Sequence, residues 1–311
     1  MIESANLSDT FPVVAVIGPT ATGKTAVSIR LATRLRGQII NLDSIQLYRR
    51  LDIGSAKPTR QERQMVRHHL IDIREPWDVM DAASFMRLAA RAIERVVGHG
   101  CVPILVGGTG FYLKCLEQGL DMLPGAVPAL RERIKQMIRQ LGHERVHEIL
   151  ASLDEKRALA IHPKDTYRLI RSFEILLYTK HPRDQVESTA LLPVRRYRFF
   201  KIGLMTKRER LYDRIDRRVD QMLEQGLIQE VSGLLGKGLD PGLKPLQSIG
   251  YRHIISYLMK EKELDQAIME MKRDTRRYAK RQITWFKKEP GIRWFDPERL
   301  LNAPDIWKAV H

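Results

Sequence analysis

The 311-residue sequence predicts an α/β fold in which a parallel sheet, flanked by helices, is interrupted by an all-helical insertion. Two observations favour this class. Short apolar strands alternate with amphipathic helical stretches in the first third of the chain, which is typical of a parallel sheet covered on both faces. From about residue 130 to residue 179 the pattern changes to consecutive amphipathic helices, and a strand returns only at residue 197.

The individual elements follow from hydrophobic periodicity. The first strand is a β-branched apolar run at residues 13–17, and a helix begins at Lys24 with apolar Val27, Ile29, Leu31 and Leu35. The later core elements are predicted as strands at 38–43 (QIINLD), 101–108 (CVPILVGG) and 197–204 (YRFFKIGL), and as helices at about 82–97 and 207–226, with further helices to about 288.

The domain boundary is predicted where Pro124, Gly125 and Pro128 interrupt the chain. Proline and glycine in such a cluster end regular elements. We therefore predict a core domain formed by residues 11–126 and 196–311, and a helical insertion domain at residues 127–195.

The charge balance is strongly basic. The chain has 53 Lys and Arg against 37 Asp and Glu, a net charge of +16, and a pI near 10. Such a surplus favours a polyanionic partner, above all nucleic acid, because binding releases condensed counterions. A generally basic enzyme without such a partner is the alternative that charge alone leaves open.

Several classes of protein are disfavoured. Cys101 and Cys115 form no CxxC pair, so neither a zinc module nor a disulfide framework is indicated. The apolar runs are shorter than the roughly 20 residues that span a bilayer, and the first ten residues are polar. We therefore expect a cytoplasmic protein that does not insert into a membrane.

A phosphate-binding motif lies between the first strand and the first helix. The segment matches G-x-x-x-x-G-K-[ST] in the strand–loop–helix context that this motif needs, so the fold is expected to resemble that of P-loop NTPases. Loop amides and the lysine bind phosphate oxygens, and the final hydroxyl can ligate magnesium. The residues of this loop are Gly18, Pro19, Thr20, Ala21, Thr22, Gly23, Lys24 and Thr25.

Two polar residues are predicted beside this loop, because ligands of open parallel sheets bind at the carboxyl ends of the strands. Asp43 ends the strand QIINLD, and its carboxylate could be a magnesium ligand, a general base or a helix cap. Thr109, in ILVGGTGFY, is expected to offer a hydroxyl to the same cleft; a glycine turn with a satisfied threonine is the alternative. His68 and His69 point to opposite sides of an extended segment, so a structural role is favoured over a metal pair.

A late basic segment supports an RNA partner. Residues 272–288 (KRDTRRYAKRQITWFKK) carry aromatic side chains among many Lys and Arg. Basic side chains can pair with phosphates while aromatic rings stack on unpaired bases. The alternative is a solvated helix whose aromatic face is buried.

Seven segments are informative when they are taken together: GPTATGKT, LDSIQLYRRLDIGSAKP, HHLIDI, GGTGFYLKCLEQGL, IHPKDTYRLIRSFEI, QSIGYR and RRYAKRQITWFKK. With them the chain closely resembles the bacterial tRNA dimethylallyltransferases, from about residue 13 to residue 288. The resemblance implies transfer of a dimethylallyl group from dimethylallyl diphosphate to N6 of adenine 37 in tRNAs that read codons starting with U. It also implies that the loop from Gly18 to Thr25 binds the diphosphate of the donor and that ATP is not the natural occupant.

Catalytic roles are likewise implied by the resemblance. Asp43 matches the family's general base, and Thr109 matches a residue that contacts the acceptor adenine or its hydrogen-bond network. The implied cofactor is Mg²⁺, and Thr25 would be one of its ligands. Arg214 and Arg218, four apart on one helix face, resemble family arginines near the diphosphate, and the sequence leaves open which of them reaches it.

The implied tRNA contacts with the anticodon stem-loop lie on several segments, including the helical insertion. The chain is expected to act as a monomer. The contact residues are Asp43, Ser44, Ile45, Gln46, Arg131, Tyr167, Arg168, Leu169, Ile170, Arg171, Gln247, Ser248, Ile249, Gly250, Tyr251, Arg252, Lys280, Arg281, Gln282, Ile283, Thr284, Trp285, Phe286 and Lys287.

Three other functions remain as alternatives. The first is a kinase acting on a small molecule or nucleotide, since kinases share the phosphate loop. The second is a prenyltransferase acting on free adenine nucleotides, for which the late basic segment has no evident use. The third is a noncatalytic RNA-binding protein whose loop only senses nucleotide.

Overall fold

A computed structural model describes residues 11–120, 127–180 and 197–310 of the chain. Within these ranges six parallel strands form one sheet in the order β3-β2-β4-β1-β5-β6. The predicted class, a helix-flanked parallel sheet, is therefore confirmed. The strands are β1 (Phe11–Ile17), β2 (Gly37–Asn41), β3 (His68–His69), β4 (Val102–Gly107), β5 (Tyr197–Leu204) and β6 (Ile292–Phe295).

Helices surround this sheet and form the insertion. No helix among the described residues is both long and apolar enough to cross a lipid bilayer. In chain order the helices are α1 (Lys24–Leu35), α2 (Arg60–Met65), α3 (Ala82–Gly98), α4 (Gly110–Gln118), α5 (Pro128–Leu153), α6 (Glu155–Leu159), α7 (Thr166–Lys180), α8 (Arg208–Glu224), α9 (Leu227–Gly236), α10 (Tyr251–Leu258), α11 (Leu264–Phe286), α12 (Pro297–Asn302) and α13 (Ile306–Val310).

The sheet differs from the sequence prediction at the end of β2 and in two strands that were not predicted, β3 and β6, since His68 and His69 were expected only in an extended segment. Strand β2 ends at Asn41 rather than at Asp43, because the Asn41 side chain bonds the backbone of Asp43 and turns the chain there. Strand β6 was not predicted. It is four residues long and pairs with β5 at the sheet edge, so it lacks the long apolar run that marks a buried strand.

The core of the sheet unit lies between the strands and α1. Val14 and Val16 of β1 pack with Val27 and Leu31 of α1, and all four are buried. Burying side chains of this size contributes about 1.5–3 kcal/mol each. Strand β1 and helix α1, which are consecutive in the chain, thus form one rigid support for the loop between them.

The chain divides into two compact units, Met1–Gly119 with Leu192–His311, and Leu120–Leu191. The first contains the sheet, and the second contains α5, α6 and α7. The predicted boundaries, 126/127 and 195/196, adjoin the stretches 121–126 and 181–196, which lie outside the described residues. The proline and glycine at 124 and 125 are also outside them.

The helical unit has its own apolar core and one buried ionic cluster. Val146 and Leu150 pack against the buried face of α7. Glu174 is 2% exposed and accepts hydrogen bonds from the Val127 amide (3.0 Å), Arg131 Nε (2.7 Å) and Arg171 Nη1 (2.9 Å). Burial acts to raise the pKa of Glu174, but these hydrogen bonds outweigh it and lower the pKa to about 2.

We expect Glu174→Gln to destabilise this unit by about 3 kcal/mol, because it removes one partner of a buried ion cluster. The value is placed at the low end of such effects since Arg131 and Arg171 keep 30% and 25% side-chain exposure and can be partly solvated. The stability that the ionised Glu174 contributes is fully present above the ordinary glutamate pKa of about 4.3, and it is lost as the pH falls toward the lowered pKa of Glu174. Urea unfolding at neutral pH and near pH 3, followed by circular dichroism, measures both effects.

Glu148→Gln is the matched control, because the Glu148–Arg145 pair on α5 is exposed at both ends. Such a pair contributes about 0–1 kcal/mol. Equal destabilisation by the two variants, or a Glu174→Gln effect that persists unchanged to low pH, would contradict the prediction.

Candidate active site

The phosphate loop between β1 and α1 has a preformed shape. Gly18 has φ 145° and lies so close to β5 that a Cβ on it would be 2.5 Å from the Leu204 carbonyl oxygen. Gly23, at the start of α1, has φ 81°. The buried Thr22 hydroxyl donates to the Pro19 carbonyl (2.8 Å), which ties the loop across itself. The loop therefore encloses a space for an anion at a helix N-terminus.

Lys24 is folded back onto this loop. Its Nζ donates to the carbonyls of Gly18 (3.1 Å) and Pro19 (2.7 Å). Burial and, to a lesser degree, the positive charge of Arg218 lower the pKa of Lys24 to about 7, although the Asp43 carboxylate acts in the opposite direction. The ammonium group is thus short of negative partners, which an incoming diphosphate would supply.

Of the two candidate arginines, only Arg218 lies at the loop. Its Nη1 donates to the Thr20 hydroxyl (3.3 Å), and its side chain lines the cavity above the loop. Burial lowers the pKa of Arg218, while Asp43 acts to raise it. Arg214 instead pairs with Glu298 at 2.6 Å. One turn of α8 separates the two side chains enough to give them different partners, so the geometry favours Arg218 for anion binding.

Asp43 is held rigidly just beyond the end of β2. Asn41 accepts a hydrogen bond from the Asp43 amide (3.0 Å) and donates to its carbonyl (3.0 Å). The Asp43 Oδ1 accepts from the amides of Ile45 (2.8 Å) and Gln46 (3.3 Å). This is a capping interaction, one of the three roles left open by the sequence. Among the described residues nothing donates to Oδ2, which leaves that oxygen for a substrate or a metal.

Thr109 lies in the turn between β4 and α4. Its buried Oγ1 has no hydrogen-bond partner among the described residues, although it stands at the N-cap position of α4. Leaving a buried hydroxyl unpaired costs about 1–3 kcal/mol. Among the described residues the threonine is therefore not satisfied, in contrast to the alternative given above, but its Oγ1 is itself buried and Thr109 lines neither of the two cavities beside Asp43.

Two adjoining cavities meet around Asp43. One, of about 620 Å³, extends over the phosphate loop and includes Lys24 and Thr25. The other, of about 340 Å³, is lined by apolar side chains of α8 such as Ile215 and Val219, and by the segment 247–249. Both cavities share Thr20, Asp43, Ser55, Ala56, Arg218, Met222 and Tyr278. A ligand in each would therefore meet at the Asp43 carboxylate.

The predicted tRNA contacts separate into exposed and buried residues. In 280–287 the periodicity of α11 exposes Lys280, Arg281, Thr284 and Lys287 and turns Gln282 and Phe286 inward. Six of the predicted contact residues are buried by the packing of their helices. They are Leu169, Ile170, Gly250, Tyr251, Gln282 and Phe286.

The other predicted contacts are accessible to differing degrees. Tyr167 is 69% exposed, with Arg131 Cζ 6.0 Å from its ring centroid, but Arg131 and Arg171 are both bound to Glu174. Those at least partly exposed are Ser44, Ile45, Gln46, Tyr167, Arg168, Arg171, Gln247, Ser248, Ile249, Arg252, Ile283 and Trp285.

A divalent metal fits the large cavity only together with a phosphate ligand. No cluster of three or more His, Cys, Asp or Glu that could hold a metal occurs among the described residues. Mg²⁺ commonly keeps several waters and takes one or two protein oxygens plus substrate phosphates. The Thr25 hydroxyl and Asp43 Oδ2 can serve in that way. His68 and His69 do not: His68 Nδ1 contacts the Val66 carbonyl and His69 Nε2 the Gln38 side chain.

The sequence reasoning missed one residue that shapes the site, Asn41, and gave another, Gln282, a different role. The Asn41 side chain holds the backbone of Asp43 in place by a hydrogen bond. The sequence feature that could have indicated this role is an Asn two residues before an Asp near the end of a strand, where an Asx turn is expected. Gln282 was assigned to RNA binding although it lies on the same face of α11 as the buried Ala279 and Phe286. A polar residue on an apolar helical stripe indicates a buried hydrogen-bonding role.

We expect Arg218→Ala to weaken binding of a diphosphate ligand about 10- to 100-fold, because it removes charge-assisted hydrogen bonds at the loop. Arg214→Ala should change affinity less than about twofold, since Glu298 is 50% exposed and such surface pairs contribute little. Isothermal titration of each variant with inorganic diphosphate and Mg²⁺ measures the difference. A larger loss for Arg214→Ala would reverse the assignment.

Known proteins resemble this chain over most of its length. A family model described as IPP transferase matches residues 46–289, a range that begins after the phosphate loop and Asp43. A protein named tRNA dimethylallyltransferase 2, from Geotalea uraniireducens, is 44% identical over 295 residues, covering 94% of this chain and 95% of the relative.

Solved structures agree with that similarity. The full-length tRNA isopentenylpyrophosphate transferase from Bacillus halodurans superposes with a TM-score of 0.68 at 40% identity, covering 92% of this chain and 90% of that one. A eukaryotic dimethylallyltransferase acting on tRNA gives a TM-score of 0.72 at 27% identity, covering 93% and 74% of the two chains. The likeness therefore includes both sequence and fold.

Proposed function

The chain belongs to the IPP transferase family, and from this premise we propose that it transfers a dimethylallyl group from dimethylallyl diphosphate to N6 of adenine 37 in tRNA. The observation that carries the proposal is the position of Asp43, whose free oxygen lies where the cavity over the phosphate loop adjoins a second cavity. A donor bound on one side and an acceptor on the other would meet there.

The donor side suits a diphosphate leaving group. The loop amides, Lys24 and Arg218 surround the space where its oxygens would lie, and their positive charge stabilises the negative charge that develops as it leaves. Mg²⁺, held partly by Thr25, would supply further charge neutralisation when bound. The apolar side chain of Met222, which lines both cavities, suits the hydrocarbon part of the donor where the two cavities adjoin.

The acceptor side suits an adenine amine. As the bond between C1 of the donor and the diphosphate oxygen breaks, N6 bonds to C1 and its proton passes to Asp43 Oδ2. The hydroxyl of Thr109, which has no partner among the described residues, would hydrogen-bond the adenine or the network between the adenine and Asp43. The products are N6-dimethylallyladenosine and diphosphate, so atoms and charges balance.

The tRNA itself would be held by exposed basic residues. Lys280, Arg281 and Lys287 on and after α11 are exposed, and Arg252 is 42% exposed at its side chain. Extruding the adenine from the anticodon loop costs a few kcal/mol, which phosphate contacts of this kind can offset. We further propose that the helical unit, with exposed Tyr167 and Arg168, contacts the anticodon stem-loop and that the enzyme acts as a cytoplasmic monomer.

The test is incubation of the pure protein with labelled dimethylallyl diphosphate, Mg²⁺ and unmodified tRNA, followed by nucleoside analysis. We expect label in N6-dimethylallyladenosine at position 37. The same protein with labelled ATP should transfer no phosphate, and AMP in place of tRNA should accept no prenyl group. Phosphoryl transfer would support a kinase, prenylated AMP a free-nucleotide enzyme, and tRNA binding without any product a noncatalytic protein.

Size-exclusion chromatography with light scattering tests the monomer proposal. A mass near 36.0 kDa supports it, and twice that mass contradicts it.

A further inference from the structure

Gln282 has a buried side chain that lies between the two loops of the site. It is 6% exposed, on the inner face of α11. Its Oε1 accepts a hydrogen bond from the Thr20 amide (2.8 Å), and its Nε2 donates to the Gly108 carbonyl (2.9 Å). One amide side chain therefore joins the phosphate loop after β1 to the turn after β4.

The contact with Gly108 leaves no spare room. A Cβ built on Gly108 would lie 2.1 Å from Gln282 Nε2 and 3.5 Å from the Gly18 carbonyl oxygen. The phosphate loop, the Gly108 turn and α11 thus approach one another closely at this point. Thr109, with its unpartnered hydroxyl, is the next residue of that turn.

Thr20 is fixed from two sides. The Thr20 amide donates a hydrogen bond to Gln282, and the Thr20 hydroxyl accepts one from Arg218. The Thr20 amide is therefore already committed within the protein, and its role is to anchor the loop. The neighbouring Ala21 has φ 63°, a conformation that an unanchored alanine rarely keeps.

We propose that Gln282 is a positioning residue that sets the phosphate loop at a fixed distance from the Thr109 turn and so aligns the donor diphosphate with the acceptor amine. It acts through Thr20 and Gly108 rather than by contacting tRNA. This inference rests on the proposed prenyl transfer for its kinetic consequence. Its structural content, an anchored anion loop, stands apart from the identity of the reaction.

The experiment compares Gln282→Met with the wild-type full-length enzyme. Methionine has similar length and volume but makes neither hydrogen bond. We expect KM for dimethylallyl diphosphate to rise about tenfold or more and kcat to fall, because two buried hydrogen bonds are lost and their partners are left unpaired. The Kd for tRNA should stay within about twofold.

Two variants on the same helix give matched comparisons. Met269→Gln changes an exposed residue at the other end of α11 and should alter neither constant. Lys280→Ala removes an exposed charge and should weaken tRNA binding without changing KM for the donor. Gln282→Asn, which keeps the amide but is too short to reach both partners, replaces Gln282→Met if the latter fails to fold, and the same shift in KM is expected.

Weaker tRNA binding with an unchanged KM for the donor would overturn the proposal in favour of a direct RNA contact. No change in either constant would overturn it as well. If the wild-type enzyme did not prenylate tRNA, the proposed function would fail, and affinity for inorganic diphosphate with Mg²⁺ would then decide the inference. A tenfold loss of diphosphate affinity in Gln282→Met supports the proposal that Gln282 anchors the phosphate loop, and an affinity equal to that of the wild type overturns it.

Discussion

Replacing Asp43 with asparagine should lower kcat about 10²- to 10⁴-fold while leaving tRNA affinity nearly unchanged. Positioned general bases contribute rate factors of that size. The asparagine oxygen can still accept from the Ile45 and Gln46 amides, so the turn that carries residue 43 should persist. What is lost is the ability of Oδ2 to take the N6 proton. Single-turnover prenylation of tRNA with saturating donor measures this step.

Asp213→Asn is the control, since Asp213 is exposed on α8 and its side chain lines neither cavity. A near wild-type rate for Asp43→Asn would remove the general-base role. The third role that the sequence left open for Asp43, that of a metal ligand, can be distinguished by the same variant. If higher Mg²⁺ concentration restored the rate of Asp43→Asn, the carboxylate would be acting as a metal ligand.

Lys24→Met should weaken binding of dimethylallyl diphosphate about 10²-fold or more, because charge-assisted hydrogen bonds to the diphosphate are lost in a partly buried site. The pH dependence is a sharper expectation. In the free enzyme Lys24 has a pKa of about 7, and a bound diphosphate favours its charged form. Above pH 7 binding must therefore take up a proton, and affinity falls about tenfold per pH unit until the pKa of the complex is reached.

Isothermal titration from about pH 7 to about pH 9, in buffers of different ionisation enthalpy, measures both the affinity and the proton uptake. Lys24→Met should show a flatter profile than the wild type, since it has no amine to protonate. Lys237→Met, which changes an exposed lysine after α9, should follow the wild-type profile. Identical slopes for Lys24→Met and the wild type would contradict the expectation.

Local patterns were enough to predict most of the fold. The strand before Gly18 and the helix after Gly23 follow from adjacent residues, because apolar periodicity and glycine conformation act over a few positions. The short edge strand β6 was missed for the complementary reason. It pairs on one side only and carries no long apolar run.

The candidate site was predicted only in part. Asp43 and Thr109 each lie two residues beyond the end of a parallel strand, β2 and β4, close to the position that topology predicts. The choice between Arg218 and Arg214 was beyond the sequence, because both fit one face of α8 and their partners, Thr20 and Glu298, are distant in the chain.

The amino-acid sequence by itself determined the family, the phosphate loop and the acid just beyond the second strand, because each is carried by neighbouring residues. Only the tertiary structure decided which side of α11 faces the site. A helix presents different residues to its two sides, and whether Gln282 meets RNA or Thr20 depends on what packs against it. Long-range packing is the physical reason that this distinction cannot be derived from the chain alone.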